Sequence, residues 1–340
     1  GTVRFYGCPA EEGGWGKSFM ARAGLFDDLD AALTWHPWTS NLMWNMDTLA
    51  VKQVYFQFSG IAAHAGNSPH LGRSALDAVE LMNVGANYLR EHIIPAARLH
   101  YAVTNSGGVA PNVVQPKAEV LYMIRAPRNS DVDEVYQRVS DVARGAALMT
   151  GCELEIKVHS ACSNLIFNDV LNKLMQTNLE RFGNPAYNAD ELNFAASMHK
   201  TVRTEEIEMA GRMLQSVLKD PKPLFDGVVP LGTGARSQLH GSTDVGDVSW
   251  ITPTAQCFTA CFAFGTSPHS WQWVAQGKSS IAHKGMLIAA KTITATALDL
   301  FANPGLLREA KIELDRQRGG RPYVCPIPEG VEPPLLALTS

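Results

Sequence analysis

Two adjacent carboxylates, Glu11 and Glu12, stand in the run Pro9-Ala10-Glu11-Glu12-Gly13-Gly14, just after the apolar stretch Thr2-Val3-Arg4-Phe5-Tyr6. Neighbouring residues in a turn point in different directions. One carboxylate can then bind a metal ion while the other takes a proton from water, the division of labour that metal-assisted hydrolysis needs. By itself a Glu-Glu pair is more often a solvated acidic turn. His36 in Thr34-Trp35-His36-Pro37-Trp38 and His269 in Pro268-His269-Ser270 each follow an apolar run that reads as a strand. Imidazole is a common ligand of zinc and related metals. A lone histidine among tryptophans is ordinarily a satisfied core residue, but three candidates at three strand ends form one coherent site. In open parallel sheets, ligands bind in the crevice at that edge. A catalytic metal usually has three protein ligands plus water, and two-metal sites need more ligands and a bridging oxygen.

The elements around these residues fall into two grammars. Residues 1–53 read as strand (2–6), helix (19–25) and strand (31–35), which argues for a parallel sheet covered by helices. Residues 54–160 read as strand (54–59), helix (74–92), strand (98–105), strand (117–125), helix (131–149) and strand (153–159). The first of these helices carries Leu76, Val79, Met82, Ala86 and Leu89 on one face, and the second carries Val132, Val135, Val139 and Val142. Ser130 and Asp133 supply a capping-box pattern at the start of the second. The order β-α-β-β-α-β is that of a ferredoxin-like module, inserted between 1–53 and 161–340. Helical patterning resumes at 169–182 and 204–218. A strand follows at 256–264, then a long helix at 279–300 with Met286, Ala289 and Ile293 on its stripe. The tail 322–340 is rich in proline. The fold class is α/β with a mixed sheet.

Length and composition narrow the function classes. With 340 residues, 46% hydrophobic, the chain can bury one sizeable core or two. A formal charge of −4 lacks the basic excess of a nucleic-acid binder. No run of eighteen or more apolar residues occurs, so no transmembrane helix is expected. Six cysteines (8, 152, 162, 257, 261 and 325) lie mostly in apolar runs and read as free thiols of a reducing cytoplasm. Cys257 and Cys261 are spaced like half a zinc site, but no partner CxxC exists in the chain, and they read as core.

Taken together, three motifs resemble the M20 peptidase family in its amidohydrolase branch. They are Gly1-Thr2-Val3-Arg4-Phe5 through Pro9-Ala10-Glu11-Glu12-Gly13; Gly60-Ile61-Ala62-Ala63-His64-Ala65-Gly66-Asn67-Ser68-Pro69-His70; and Gly107-Gly108-Val109-Ala110-Pro111-Asn112-Val113-Val114, followed by Ile124-Arg125. The resemblance covers nearly the whole chain. It implies a Zn-peptidase-like catalytic domain from 1–53 and 161–340 and a dimerisation or lid domain at 54–160. It implies Glu11 as general base, and Glu12, His36 and His269 as ligands of one or two divalent ions, manganese or zinc. It also implies that His64 reaches a partner subunit's site to polarise the scissile carbonyl, and that Asn112 and Arg125 hold the substrate carboxylate. The partner would be a second copy or a related sister subunit.

The implied reaction is hydrolysis of an amide between an aroyl or acyl group and an amino acid, with p-aminobenzoyl-glutamate as the expected substrate. The alternatives are another aminoacylase or dipeptidase, or a non-catalytic partner-binding subunit. The family also uses a Cys/His-Gly-His-Asp-type segment upstream of the Glu11 position, and this is expected to precede Gly1. Trp38, Trp271 and Trp273 are candidates for an aromatic wall or for core packing. Asp244 and Asp247 read as support for the site or as turn chemistry, and His283 as structural.

Overall fold

The computed structural model describes residues 1–44, 46–183, 185–214, 222–232, 237–238 and 241–334. The chain runs through α1 (Glu11–Gly14), α2 (Gly16–Arg22), β1 (Ala32–Trp38), β2 (Leu42–Met43), β3 (Met46–Asp47) and β4 (Ala50–Ser59). It continues through α3 (Ala75–Leu89), β5 (Arg98–Asn105), β6 (Lys117–Ala126), α4 (Asn129–Thr150) and β7 (Glu153–Cys162). Then come α5 (Asp169–Phe182), α6 (Ala189–His199), α7 (Thr204–Met213), β8 (Ser237–Gln238), α8 (Val245–Ile251), β9 (Thr254–Ala260), α9 (Trp271–Gln276), α10 (Ser280–Ala302) and α11 (Pro304–Arg318).

Strands β4 to β7 form an antiparallel sheet in the order β5-β6-β4-β7, the ferredoxin-like arrangement. Alternation along β6 sends Ala118, Val120, Tyr122 and Ile124 to one face, where α3 and α4 cover them with Val79, Met82, Ala86, Val135, Val139 and Ala143. Each large apolar side chain so buried is worth about 1.5–3 kcal/mol relative to exposure. Tyr122 donates its buried hydroxyl to Asn83 Oδ1 at 2.7 Å, so the core leaves that hydroxyl satisfied. The elements expected over 54–160 are therefore present, with β4 starting at Ala50.

The second sheet is mixed, in the order β1-β9-β2. Here β1 runs parallel to β9, from Ala32 opposite Thr254 to Trp38 opposite Ala260, and β2 runs antiparallel to β9. Every residue of β9 is buried, as expected of a strand covered on both faces. Ala255 and Cys257 meet Leu171 and Met175 of α5 and Ile288 of α10. Phe258 meets Trp44, Leu165, Phe167 and Val245. Among the described residues α10 is the one helix long and apolar enough to cross a membrane; Ile288, Ala289 and Leu300 pack it instead into this core.

Several expectations need correction. Residues 2–6 form no strand: no strand of the described residues pairs with them, and Phe5 is 95% exposed. The helix expected at 19–25 is Gly16–Arg22. The Ser130/Asp133 capping box is absent, because the helix starts sooner with Arg128 as N-cap, and Asp133 instead binds Lys52 Nζ at 2.5 Å. The last strand ends at Ala260 rather than 264. Met286 faces outward, 47% exposed, because the buried stripe of α10 runs through Gly285, Ala289, Thr292 and Thr296. Helices α1, α6, α8, α9 and α11 and the two-residue strands β2, β3 and β8 were not expected. The expected helix 204–218 is seen to Met213; its part at 215–218 and the tail at 335–340 lie outside the described residues.

Candidate active site

Glu11 and Glu12 open α1, a single helical turn flanked on both sides by left-handed backbone. Ala10 has φ 59° and Trp15 has φ 52°. The turn doubles back so tightly that a Cβ on Gly16 would stand 2.0 Å from Pro9 O, which only glycine avoids. His269 has φ 60°, and it completes the set of non-glycine residues with positive φ among the described residues. Each such residue costs on the order of 1–3 kcal/mol and persists only where its surroundings over-determine it. Two of the three flank the four-residue turn that carries Glu11 and Glu12, and the third is His269 itself, so the backbone strain sits beside or on three of the four candidates for metal and proton chemistry.

Of the four side chains, His269 and Glu12 are in direct contact, and His36 and Glu11 lie within range of their charges. His269 Nε2 stands 3.6 Å from Glu12 Oε2. His36, near the carboxyl end of β1, feels the charges of both Glu12 and His269. Its ring stacks on Phe258 at 5.4 Å, and desolvation there holds its pKa below the ordinary value. Nδ1 of His36 lies 2.7 Å from Pro37 O. It donates there, which leaves Nε2 as the free lone pair. Burial, then the charges of Asp244 and Glu12, raise the Glu11 pKa above the ordinary carboxylate value, against Lys17 and a Thr243 hydrogen bond. A carboxylate held so is a better proton acceptor and donor near neutral pH.

The donors suit a divalent metal in kind. Two ligands about 2.1 Å from one tetrahedral ion stand roughly 3.4 Å apart, close to the Glu12–His269 separation. Among the described residues, however, no group of three or more His, Cys, Asp and Glu side chains closes on one point. The pair Glu12–His269, with His36 beside it, fits part of a ligand set. Cys257 and Cys261 take no part; both are free, and burial raises their thiols to about 12 and about 11.

An aromatic surface adjoins His36. Trp38 meets it edge-on at 6.1 Å and meets Trp273 at 5.7 Å, while Trp273 packs on Phe262 at 3.9 Å. Trp271 is 62% exposed. His283 is exposed on α10.

The remaining candidates lie on the four-stranded unit. His64 is exposed, and its Nδ1 accepts from the backbone N–H groups of Gly66 (3.2 Å) and Asn67 (3.0 Å). A neutral imidazole that accepts at Nδ1 carries its proton on Nε2, so His64 presents a donor. Asn112 lies beside it: its carbonyl accepts from Ala65 N at 2.9 Å, and His64 bridges to Val113. Arg125, on β6, donates to Ser242 Oγ at 3.1 Å and rests on Met123 Sδ. Burial lowers its pKa. It thus stands beside the loop that contacts Glu11.

Sequence reading missed Lys17, Ser18, Ser163, Ser242, Thr243 and Tyr323. Asp244 accepts from Lys17 N (2.9 Å) and Lys17 Nζ (2.7 Å). Asp247 accepts from Ser18 Oγ (2.5 Å), Ser163 N (3.1 Å), Ser163 Oγ (2.8 Å) and Tyr323 OH (2.9 Å). Both aspartates are fully buried. The spacing of Asp244 and Asp247, one turn apart at the start of a helix, was the available signal. Their partners, far away in sequence, gave none.

Residues 50–148 match the peptidase dimerisation domain of the M20 peptidases. The chain is 51% identical to a subunit of the p-aminobenzoyl-glutamate hydrolase of Escherichia coli (strain K12), over 98% of this chain and 71% of that protein. This chain belongs to the M20 family. It is also 29% identical to the Xaa-Arg dipeptidase of Mus musculus, over 90% of this chain and 61% of that protein. The crystal structure of an aminobenzoyl-glutamate utilization protein from Klebsiella pneumoniae shares the fold, with a TM-score of 0.57 and 21% identity over 86% of this chain and 60% of that one. The chain thus spans about three fifths of the length of the last two. Membership of the M20 family makes it an amidohydrolase by ancestry and implies a divalent metal.

Proposed function

We propose that this chain belongs to a metal-dependent hydrolase that cleaves the amide of p-aminobenzoyl-glutamate to p-aminobenzoate and glutamate. The observation that carries this reading is the strained Glu11-Glu12 turn facing His269 and His36, in a chain 51% identical to a protein named for that substrate. Glu12, His36 and His269 would hold manganese or zinc, one ion or two. When bound, the metal supplies Lewis acidity that activates water and the carbonyl.

The chain's own residues supply the rest. Glu11 takes a proton from the attacking water and returns it to the leaving amine nitrogen; its raised pKa suits both halves of that shuttle. His64 donates from Nε2 to the carbonyl oxygen as it gains charge. Since its ring is exposed and its hydrogen bonds stay within its own loop, it serves the site of a partner, a second copy or a sister subunit joined through 54–160. Arg125 and Asn112 hold the glutamate carboxylates. Trp38 and Trp273 flank the aminobenzoyl ring. The domain division at 1–53 with 161–340, and at 54–160, and a cytoplasmic location belong to the same reading.

The test is a side-by-side assay of the full-length protein with its partner, in manganese and in zinc. It offers p-aminobenzoyl-glutamate, an N-acyl amino acid and an Xaa-Arg dipeptide. Release of p-aminobenzoate as the preferred reaction is expected. Turnover of another substrate without p-aminobenzoate release contradicts the substrate, and no turnover with either metal contradicts the enzyme.

A further inference from the structure

We propose that Asp244 is a positioning residue for the Glu11-Glu12 turn, acting through a two-point grip on Lys17. The proposal rests on the reading of Glu11 and Glu12 as proton carrier and ligand, and it assigns work to a buried ion pair that the reaction itself does not touch.

The turn cannot hold itself. Helix α1 has four residues, fewer than a stable helix needs, and both of its flanks sit in left-handed backbone on Ala and Trp, residues that gain nothing there. Its internal bond is Gly14 N to Ala10 O at 2.9 Å, with Ser18 N to Trp15 O at 3.0 Å just beyond. Something outside must fix it. Trp15 is buried against Val51 and Cys162, but apolar contact has little direction. The directional hold comes next in the chain. One carboxylate, Asp244, accepts both the main-chain N–H and the ammonium of Lys17, two residues past Trp15. Main chain and side chain are thereby fixed against one rigid point, by charge-assisted bonds to a fully buried carboxylate.

Asp244 is itself fixed. It is the N-cap residue of α8. The helix seats so closely that a Cβ on Gly246 would stand 1.9 Å from Ser163 O. One turn later, Asp247 ties Ser18 to Ser163 at the end of β7. The same run carries Ser242 on Arg125 and Thr243 on Glu11. The loop 242–247 therefore registers the catalytic turn against the four-stranded unit.

The experiment uses the full-length protein with its metal and partner, and compares Lys17→Met, Lys17→Arg and Asp244→Asn. Lys284→Met is the control, since it removes a similar pair, Lys284–Glu191 at 2.6 Å, away from the site. Lys17→Met and Asp244→Asn should lower kcat by about 100-fold, the size of effect that a misplacement of about 1 Å brings, with KM changed less than about threefold. Lys17→Arg should recover most of the rate. Amide hydrogen exchange should rise about tenfold at 11–18 and stay level in β4 and β6; Lys284→Met should change neither readout.

The proposal is overturned if exchange at 11–18 is unchanged in both variants, or if it rises equally in β4 and β6, which would mark general destabilisation. A kcat within about twofold of the parent overturns it as well. If the parent itself releases no p-aminobenzoate, the function reading fails, while the exchange comparison still decides the grip.

Discussion

The four-stranded unit and the region around Glu11 are held together by different physics. The sheet β5-β6-β4-β7 and its two helices share one continuous apolar core, with Phe56, Tyr122, Met82 and Val139 fully buried. Around the glutamates the apolar contacts break into small clusters. Between those clusters lie buried Asp244, Asp247 and Ser18, each paired by specific hydrogen bonds. Apolar packing gives stability without direction. Polar networks give direction, and they leave unpaired buried groups when any member is lost. A region that must hold two carboxylates in strained backbone needs direction. The four-stranded unit, which matches a dimerisation domain, rests on stability.

The largest effect that tests this contrast is on rate. Glu11→Gln should lower kcat by about 10²–10⁴-fold, the usual share of a positioned base, while far-ultraviolet dichroism and metal content stay the same. A residual rate above a tenth of the parent's would show that Glu11 is not the base. Next comes stability of the other region. Phe56→Ala should lower the unfolding free energy in urea by about 3–5 kcal/mol, with no change in metal affinity. If metal affinity fell with it, the two regions would not be independent.

Substitution of the aromatic wall should be milder. Trp38→Ala should raise KM for p-aminobenzoyl-glutamate roughly fivefold, about 1 kcal/mol of ring contact, and should leave KM for an aliphatic acyl-glutamate nearly unchanged. The smallest effect concerns pH. Burial raises the pKa of Glu11 in the folded protein above its unfolded value. Such a group contributes its stability below the unfolded pKa and loses it as pH rises through the folded pKa. In the metal-free protein, Glu11→Gln should therefore raise Tm at neutral pH, and that gain should vanish as pH falls below the ordinary carboxylate range. A gain that grew on acidification would reverse the sign.

The sequence carried the four-stranded unit well because its signals are periodic. Alternation at 118, 120, 122 and 124, and steps of three and four at 79, 82, 86 and at 132, 135, 139, are readable from one strand or helix alone. The helix at Asp169–Phe182 was legible to the residue, since Asn168 caps it and Gly183 ends it. The candidate site was legible only as a set of residue types. Its strained turn was hidden, because Ala10 and Trp15 are not residues that announce left-handed backbone. The Lys17–Asp244 grip was hidden as well, because it joins positions 227 residues apart. Neither residue belongs to a local motif, so only the tertiary structure brings them together.

The central claim is that Glu12, His36 and His269 bind a catalytic metal. Its most direct test is calorimetric titration of manganese and zinc into the full-length protein and its Glu12→Gln, His36→Ala and His269→Ala variants. Tight binding by the parent, weakened at least about tenfold by each substitution, is the expected result. Affinity unchanged in all three variants would place the metal elsewhere and contradict the claim.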